Sequence, residues 1–268
     1  MLAGLLGLCA LVLWILTDKV TLMDIDQVKR WYWIRRLMNK FRHRPKSPPE
    51  KLGAVLNDQN LSLILDVGAN IGQSHDLFRS IGYTGRIVSF EPLPGAHATL
   101  TEKATSDANW QIAPRMAIGD RPDETVIRES EASDVSSIME ANASMHAAFR
   151  KTKIVEEHPT IVQPLDAIYD DYARPDDRVF LKIDTQGYDL KVLQGATETL
   201  KKITGLQIEM SLFPLYEGEA SYLEIMSLID TQGFEPYILS ETNFSQNLRR
   251  QLQVDGIFFR KGSSVKIF

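Results

Sequence analysis

The hydrophobic pattern changes character three times along the chain. Residues 1–16, MLAGLLGLCALVLWIL, are apolar throughout. In DIDQVKRWYWIRRLMNKFRHR (24–44), Ile25, Val28, Trp31, Ile34, Met38 and Phe41 recur three or four apart, which is one stripe of an amphipathic helix. Lys29, Arg30, Arg35, Arg36 and Lys40 fall mostly on the other side. PKSPPE (45–50) breaks that pattern and reads as a linker. From residue 52, short β-rich runs alternate with helical ones. LSLILDV (61–67), RIVSF (86–90), WQIAP (110–114), RVFLKI (178–183) and LQIEM (206–210) read as strands. Helices are expected over 72–81 and 98–104, from Asp189 to Ile203, and over 221–233, where Gly233 stops the last. YILS (237–240) and DGIFFR (255–260) form two more strands, joined by a stretch with room for an antiparallel return. Residues 121–165 show weak periodicity and read as an insertion.

This alternation predicts an α/β fold, a doubly wound, seven-stranded, mostly parallel sheet of Rossmann-like type with helices on both faces. The expected organisation is an apolar N-terminal segment (1–23), a basic amphipathic helix (24–44), a linker (45–51) and a body (52–268).

Charge separates the arm from the body. Residues 1–51 hold ten Lys/Arg and four acids, a charge of +6. The whole chain carries −5, so the remainder carries −11. An acidic body argues against nucleic acid as the main partner. A helix of residues 1–16 would be roughly 24 Å long, short of the ~30 Å hydrocarbon core unless it continues past Asp18 and Lys19 into VTLM. Neither a basic segment before the apolar run nor a small-residue cleavage site after it suggests a signal peptide. The basic residues all follow the apolar run, so residues 1–44 are expected to contact a membrane and leave the body on its cytoplasmic face. A helix packed on the body with a solvated basic face is the plainer alternative. The single cysteine, Cys9, excludes an intrachain disulfide and a multi-cysteine zinc cluster. His43, His75, His97, His146 and His158 have no close metal spacing, so no metal site is expected. For His75, near the glycine turn, a satisfied or surface histidine is the better expectation.

Three stretches fall where a doubly wound sheet binds ligands, beyond the carboxyl ends of its strands. In LDVGANIGQS (65–74), Gly68 and Gly72 permit unusual backbone angles and close approach, and the following helix offers free N–H groups. Asp66 occupies the place of the first glycine of a dinucleotide fingerprint. An acid there repels a pyrophosphate and suits the α-ammonium of S-adenosylmethionine (SAM). The alternative is a tight turn in which Asp66 caps its own backbone. In SFEP (89–92), Glu91 stands where an acid accepts hydrogen bonds from ribose hydroxyls, or where a strand-end glutamate is simply exposed. In LKIDTQGYDLKVLQGA (181–196), Asp184 suits a general base or part of a metal site, or else organises the turn. Gln186 offers a donor and an acceptor for positioning. Glu209, after the LQIEM strand, either lines the acceptor pocket or is a solvated charge. Ser133, Ser136 and Ser137 lie in the insertion, which either covers the acceptor or is a long surface loop. No G-x-S-x-G elbow or Walker loop is present.

Taken in order, LDVGANIGQ, SFEP, MAIGD (116–120), LKIDTQGYDLKVLQGA and LQIEMS resemble the FkbM-type methyltransferases over residues 60–260. The resemblance implies a class I, SAM-dependent methyltransferase acting on a hydroxyl oxygen of a sugar, glycan, lipid-linked or secondary-metabolite acceptor. It implies that Asp66, Gly68, Asn70 and Gly72, with Gln73 beside them, cradle SAM, that Glu91 holds its ribose, and that Ala117 and Ile118 flank the adenine. Many members carry Glu where this chain has Gln186, so a catalytic carboxylate at that position is not implied here. Two alternatives compete: a Rossmann-type NAD-dependent oxidoreductase, which Asp66 disfavours, and a non-catalytic, membrane-tethered binding protein.

Overall fold

The computed structural model of the protein describes residues 47–263. The apolar segment 1–23 and basic helix 24–44 lie outside the described residues, among which no helix is long and apolar enough to cross a membrane.

The body begins earlier than the proline pattern suggests. Helix α1 (Pro48–Asp58) replaces part of the expected 45–51 linker. Ser47 accepts from Glu50 N, and the Glu50 side chain accepts from Ser47 N, a reciprocal capping box. Prolines in the first helical turn lose no hydrogen bond, so PKSPPE starts a helix.

The main sheet is built from β1 (Leu63–Val67), β2 (Arg86–Phe90), β3 (Trp110–Ile112), β7 (Val179–Ile183), β8 (Gly205–Ser211), β9 (Phe234–Ser245) and β10 (Arg250–Arg260). Their spatial order is β3-β2-β1-β7-β8-β10-β9, parallel except for β10, which runs antiparallel to both neighbours. This is the expected seven-stranded, doubly wound sheet. Its strand order reverses between β1 and β7, so the ligand crevice belongs above their carboxyl ends. All five residues of β1 and of β7 are buried, as suits strands covered on both faces. One apolar cluster, including Leu65, Phe90, Leu181, Leu193 and Ile208, forms part of the core. A second, including Ile64, Phe78, Trp110, Phe180 and Phe259, forms another.

Helices α2 (Gln73–Ser80), α3 (Pro94–Ala104), α5 (Leu165–Tyr172) and α8 (Tyr222–Thr231) connect strands. The helix expected from Asp189 to Ile203 is two, α6 (Asp189–Gln194) and α7 (Thr197–Lys202). Gly195 lies against Gly119, where an added Cβ would sit 1.8 Å from the Gly119 carbonyl oxygen. The Gly195 carbonyl accepts from Asp166 N, and the Asp166 carboxylate takes the Glu198 and Thr199 N–H groups that open α7. A residue some 30 positions away thus ends one helix and caps the next.

The insertion is folded. β4 (Ala117–Ile118), β5 (Asp123–Ser130) and β6 (Ile154–Gln163) form a three-stranded sheet in the order β4-β6-β5, with α4 (Ala143–Ala148) between β5 and β6. β4 is only two residues long, and charged residues interrupt the other two strands, so none has a clear sequence signal: β5 is DETVIRES and β6 is IVEEHPTIVQ.

Candidate functional site

An open cleft of about 810 Å³, its solvent mouth included, lies above the carboxyl ends of β1, β2 and β7. Of the residues singled out in the sequence, Gly68, Asn70, Gln73, Glu91, Ala117, Ile118, Asp184 and Gln186 line it. Asp66, Gly72 and Glu209 stand outside that lining.

The turn after β1 is shaped by backbone contacts. The Phe90 carbonyl accepts from both Gly68 N (3.1 Å) and Ala69 N (3.2 Å). Gly68 has φ +81°, and a Cβ there would come 1.9 Å from the Asp184 carbonyl oxygen. Gly72 has φ +94°, and its Cβ would strike the Trp110 ring at 2.8 Å. Both glycines therefore let protein pack on protein. Asn70, at φ +46°, donates its N–H to Glu91 Oε2 at 2.7 Å. Glu91 Oε1 accepts from Leu93 N at 2.8 Å. Burial pushes Glu91 up to about 7 despite those two N–H groups, which favour its ionised form.

Asp66 is fully buried, and the ammonium it meets is that of Lys182, whose Nζ lies 3.2 Å from Asp66 Oδ1. That is an ion pair whose alignment falls outside a hydrogen bond, since Oδ1 has no hydrogen-bond partner among the described residues. Asp66 Oδ2 accepts from Ser89 Oγ (3.3 Å), which in turn accepts from the Trp110 indole N–H (3.0 Å). Lys182 faces Asp66 across the β1–β7 ladder and also lies 3.4 Å from Asp184 Oδ2. These acids hold its charge firmly, raising it above the usual lysine range although burial opposes this. Sequence reasoning passed over Lys182. Its signal was available: a lysine inside the buried run RVFLKI requires a partner.

Beyond β7, Gln186 at φ +53° donates from Nε2 to Asp184 Oδ1 (2.8 Å) and Glu209 Oε2 (3.3 Å). Its Oε1 accepts from the Tyr216 hydroxyl at 3.1 Å. Gln253 donates to the same Glu209 oxygen at 2.7 Å. Burial first, then the carboxylates of Asp184 and Asp255, push Glu209 well above the usual range. Asp255, opposite Glu209 in the ladder, is pushed up to about 6 by burial. Asp189 is also pushed up to about 6 by burial, although it accepts from Thr185 N, Thr185 Oγ1 and Gly187 N. It organises the turn that was one alternative reading for Asp184. Asp184 itself faces the cleft, its side chain 37% exposed.

The insertion supplies the opposite wall. Ile127, Ser133, Asp134, Ser136, Ser137 and Ile138 line the cleft. Ser137 Oγ donates to the Gln186 carbonyl (2.7 Å) and Ser133 Oγ to Asn70 Oδ1 (3.1 Å). The insertion is therefore a folded wall of the cleft and not a long surface loop. His75 lies outside the cleft lining, stacked 3.6 Å from Trp110 and bonded to Asp107, as a satisfied histidine. Strand pairing does assemble one group of metal-ligand types that sequence spacing hides, Glu129, Glu156 and His158 on β5 and β6. There His158 and Glu129 satisfy each other at 2.6 Å.

The cleft suits an adenosyl amino-acid cofactor. Asn70 Nδ2 is buried at its edge with no hydrogen-bond partner among the described residues. Glu91 retains lone pairs for hydroxyl donors. Leu93, Met116, Ala117 and Ile118 supply an apolar face. Fold and site together define a class I, Rossmann-like cofactor enzyme. The methyltransferase FkbM domain model matches residues 66–236. The chain belongs to that family, and its cofactor is S-adenosylmethionine. Comparison with curated proteins returns no match. Among solved structures it is similar to a SAM-dependent methyltransferase from Aquifex aeolicus, at 14% identity and TM-score 0.41, covering 89% of this chain and 99% of that one. It is also similar to an rRNA methylase from Streptococcus thermophilus, at 10% identity and TM-score 0.42, covering 80% and 98%. A TehB-like SAM-dependent methyltransferase from Corynebacterium glutamicum matches at 11% identity and TM-score 0.39, covering 87% and 99%. Likeness at this level carries no functional weight.

Proposed function

We propose that the protein transfers a methyl group to a hydroxyl oxygen of a small-molecule or glycan acceptor, with Asp184 as proton acceptor. The observation that carries this reading is the placement of Asp184. Its carboxylate faces the cleft, held by the Lys182 ammonium on one oxygen and the neutral Gln186 amide on the other, with the serine-rich wall of the insertion opposite. When bound, SAM supplies a methyl group already activated on a sulfonium. The chain's residues then provide orientation and proton removal. An Asp184 oxygen would accept the acceptor's O–H proton as that oxygen takes the methyl group.

In this proposal Gly68, Asn70, Gln73 and Glu91 hold the cofactor, with Glu91 on the ribose hydroxyls and Ala117 and Ile118 beside the adenine. Gly72 supports the turn from behind. Asp66 acts through Lys182, which replaces the direct contact with the cofactor's ammonium expected from sequence. Gln186 and Glu209 position Asp184. The −11 charge of residues 52–268 supports a small-molecule or glycan acceptor over nucleic acid.

The test is incubation of the full chain with methyl-labelled SAM and metabolite extracts, with mass spectrometry of the products. An O-methylated product that disappears in Asp184→Asn supports the proposal. Label arriving only on nitrogen, carbon or RNA would overturn it. Membrane contact through residues 1–44 rests on their sequence. Fractionating the full chain against a version lacking residues 1–50 tests it, and equal solubility of the two would count against an anchor.

A further inference from the structure

We propose that Lys182 is a positioning residue for methyl transfer, the built-in countercharge that selects Asp184 among its neighbouring carboxyl groups as the proton acceptor. This inference rests on the role of Asp184 proposed above. A buried ammonium in a sheet interior is costly unless paired. Lys182 is 5% exposed, and its charge is answered by two carboxylates on the same side of adjoining strands. Asp66 faces it across the β1–β7 ladder and is fully enclosed, with no path to a ligand. Asp184 lies two residues further along and reaches the cleft. Lys182 also donates to the Gly68 carbonyl at 3.4 Å, which ties the cofactor turn to the same ammonium.

The surroundings make that countercharge selective. The titratable groups around this point come from every neighbouring element: Asp66 from β1, Glu91 after β2, Asp184 after β7, Asp189 from α6, Glu209 from β8 and Asp255 from β10. Among the described residues, Lys182 is the cation that forms ion pairs within this group, and it pairs only with Asp66 and Asp184. Gln186 bridges Asp184 and Glu209 through one amide nitrogen, so it supports both acids without adding charge. Glu209 is left with amide donors alone, Gln186 and Gln253. Asp184 therefore differs from Glu209 in two ways, its opening to the cleft and its direct ion pair with the ammonium. A carboxylate fixed at both oxygens, Oδ2 by Lys182 and Oδ1 by Gln186, also presents its remaining lone pairs in one orientation.

The experiment is a carboxyl-carbon NMR titration of the cofactor-free full chain, with Asp184 assigned from Asp184→Asn. Lys182→Met tests the charge directly. Lys182→Met combined with Asp66→Asn removes the whole ion pair, so that no unpaired buried charge is left to unfold the protein. The expected result is an upward shift of the Asp184 titration by at least one pH unit in the double variant. In Lys182→Arg it stays within half a unit of the parent. An unchanged Asp184 titration in the double variant, with its backbone spectrum folded, would overturn the inference. Failure of the underlying reading looks different. Asp184→Asn would then transfer methyl groups to the extract acceptor at the parent rate, whatever the titration shows, and the inference would fall with it.

Discussion

The two walls of the cleft are made in different ways. The strand-end wall, from β1, β2 and β7, is rigid backbone around buried charge: Glu91 between two N–H groups, and Lys182 between two acids. The insertion wall, from β5 and the residues after it, is apolar side chains and hydroxyls, and it meets the other wall through single hydrogen bonds. Its sheet also leaves Ile154, Val155 and Ile161 exposed, whereas β1 and β7 are fully covered. Under the proposed function, the difference places cofactor chemistry where the structure cannot yield, and acceptor choice where a few weak bonds can be varied.

If this contrast is right, substitutions in the strand-end wall cost far more than those in the insertion. The largest effect is expected from Gly68→Ala, which combines a positive φ with a Cβ 1.9 Å from the Asp184 carbonyl oxygen. Chemical denaturation should show a loss of about 4 kcal/mol or no folded protein at all. A fully stable Gly68→Ala protein would mean that the two strand ends are not locked together. Next comes Asp184→Asn, for which labelled transfer should fall by about 10²–10⁴-fold. Calorimetry should find SAM affinity within a few-fold of the parent, which separates proton removal from cofactor binding.

The third test is pH. Glu91 has a folded value of about 7 against an ordinary 4.5, so the folded state binds its proton more tightly than the unfolded state does. Its share of stability is full below 4.5 and is lost as pH rises through about 7. Asp189 and Asp255, pushed up to about 6, act in the same direction. Asp107, Asp120, Asp166 and Asp177 are lowered and act only at more acid pH, so thermal unfolding without cofactor should show stability declining between about pH 5 and 7, less steeply in Glu91→Gln. SAM binding should run the other way. If the ionised carboxylate accepts the ribose hydroxyls, affinity should tighten about tenfold as pH rises from one unit below Glu91's value to above it. Calorimetry across that range checks this, and a Glu91→Gln protein should lose the dependence.

The smallest effect belongs to the insertion. Ser137→Ala removes the hydroxyl that donates to the Gln186 carbonyl, and stability should drop by about 1 kcal/mol. Acceptor KM should rise while SAM affinity stays unchanged. An equal loss of SAM affinity would show that the walls act as one unit.

Much of this division is visible in the residues. The runs LSLILDV, RIVSF and RVFLKI carry apolar length enough to be strands, and Gly68, Glu91 and Asp184 follow where strand ends meet a ligand. The FkbM resemblance reached the cofactor from those same stretches. Asp66 shows the boundary of such reasoning. Its type and position suit an ammonium, and it does meet one, but the ammonium is Lys182's. Which partner it meets depends on the β1–β7 register, and β1 and β7 are more than 100 residues apart. The PKSPPE prolines, read as a break, open a helix because Ser47 and Glu50 cap it.

What the sequence by itself determined was the alternating order of elements and the chemistry at the strand ends. Both follow from local facts: hydrophobic period, glycine's backbone freedom, and the charge of a side chain beside a turn. Only the tertiary structure decided that Lys182 joins Asp66 to Asp184, that Asp166 caps α7, and that Ser133 and Ser137 close over the cleft. Each of these joins segments distant in sequence, through distances of a few ångströms that no local pattern encodes. The same holds for the insertion side of the cleft, where weakly periodic strands became a wall because β6 pairs with both β4 and β5.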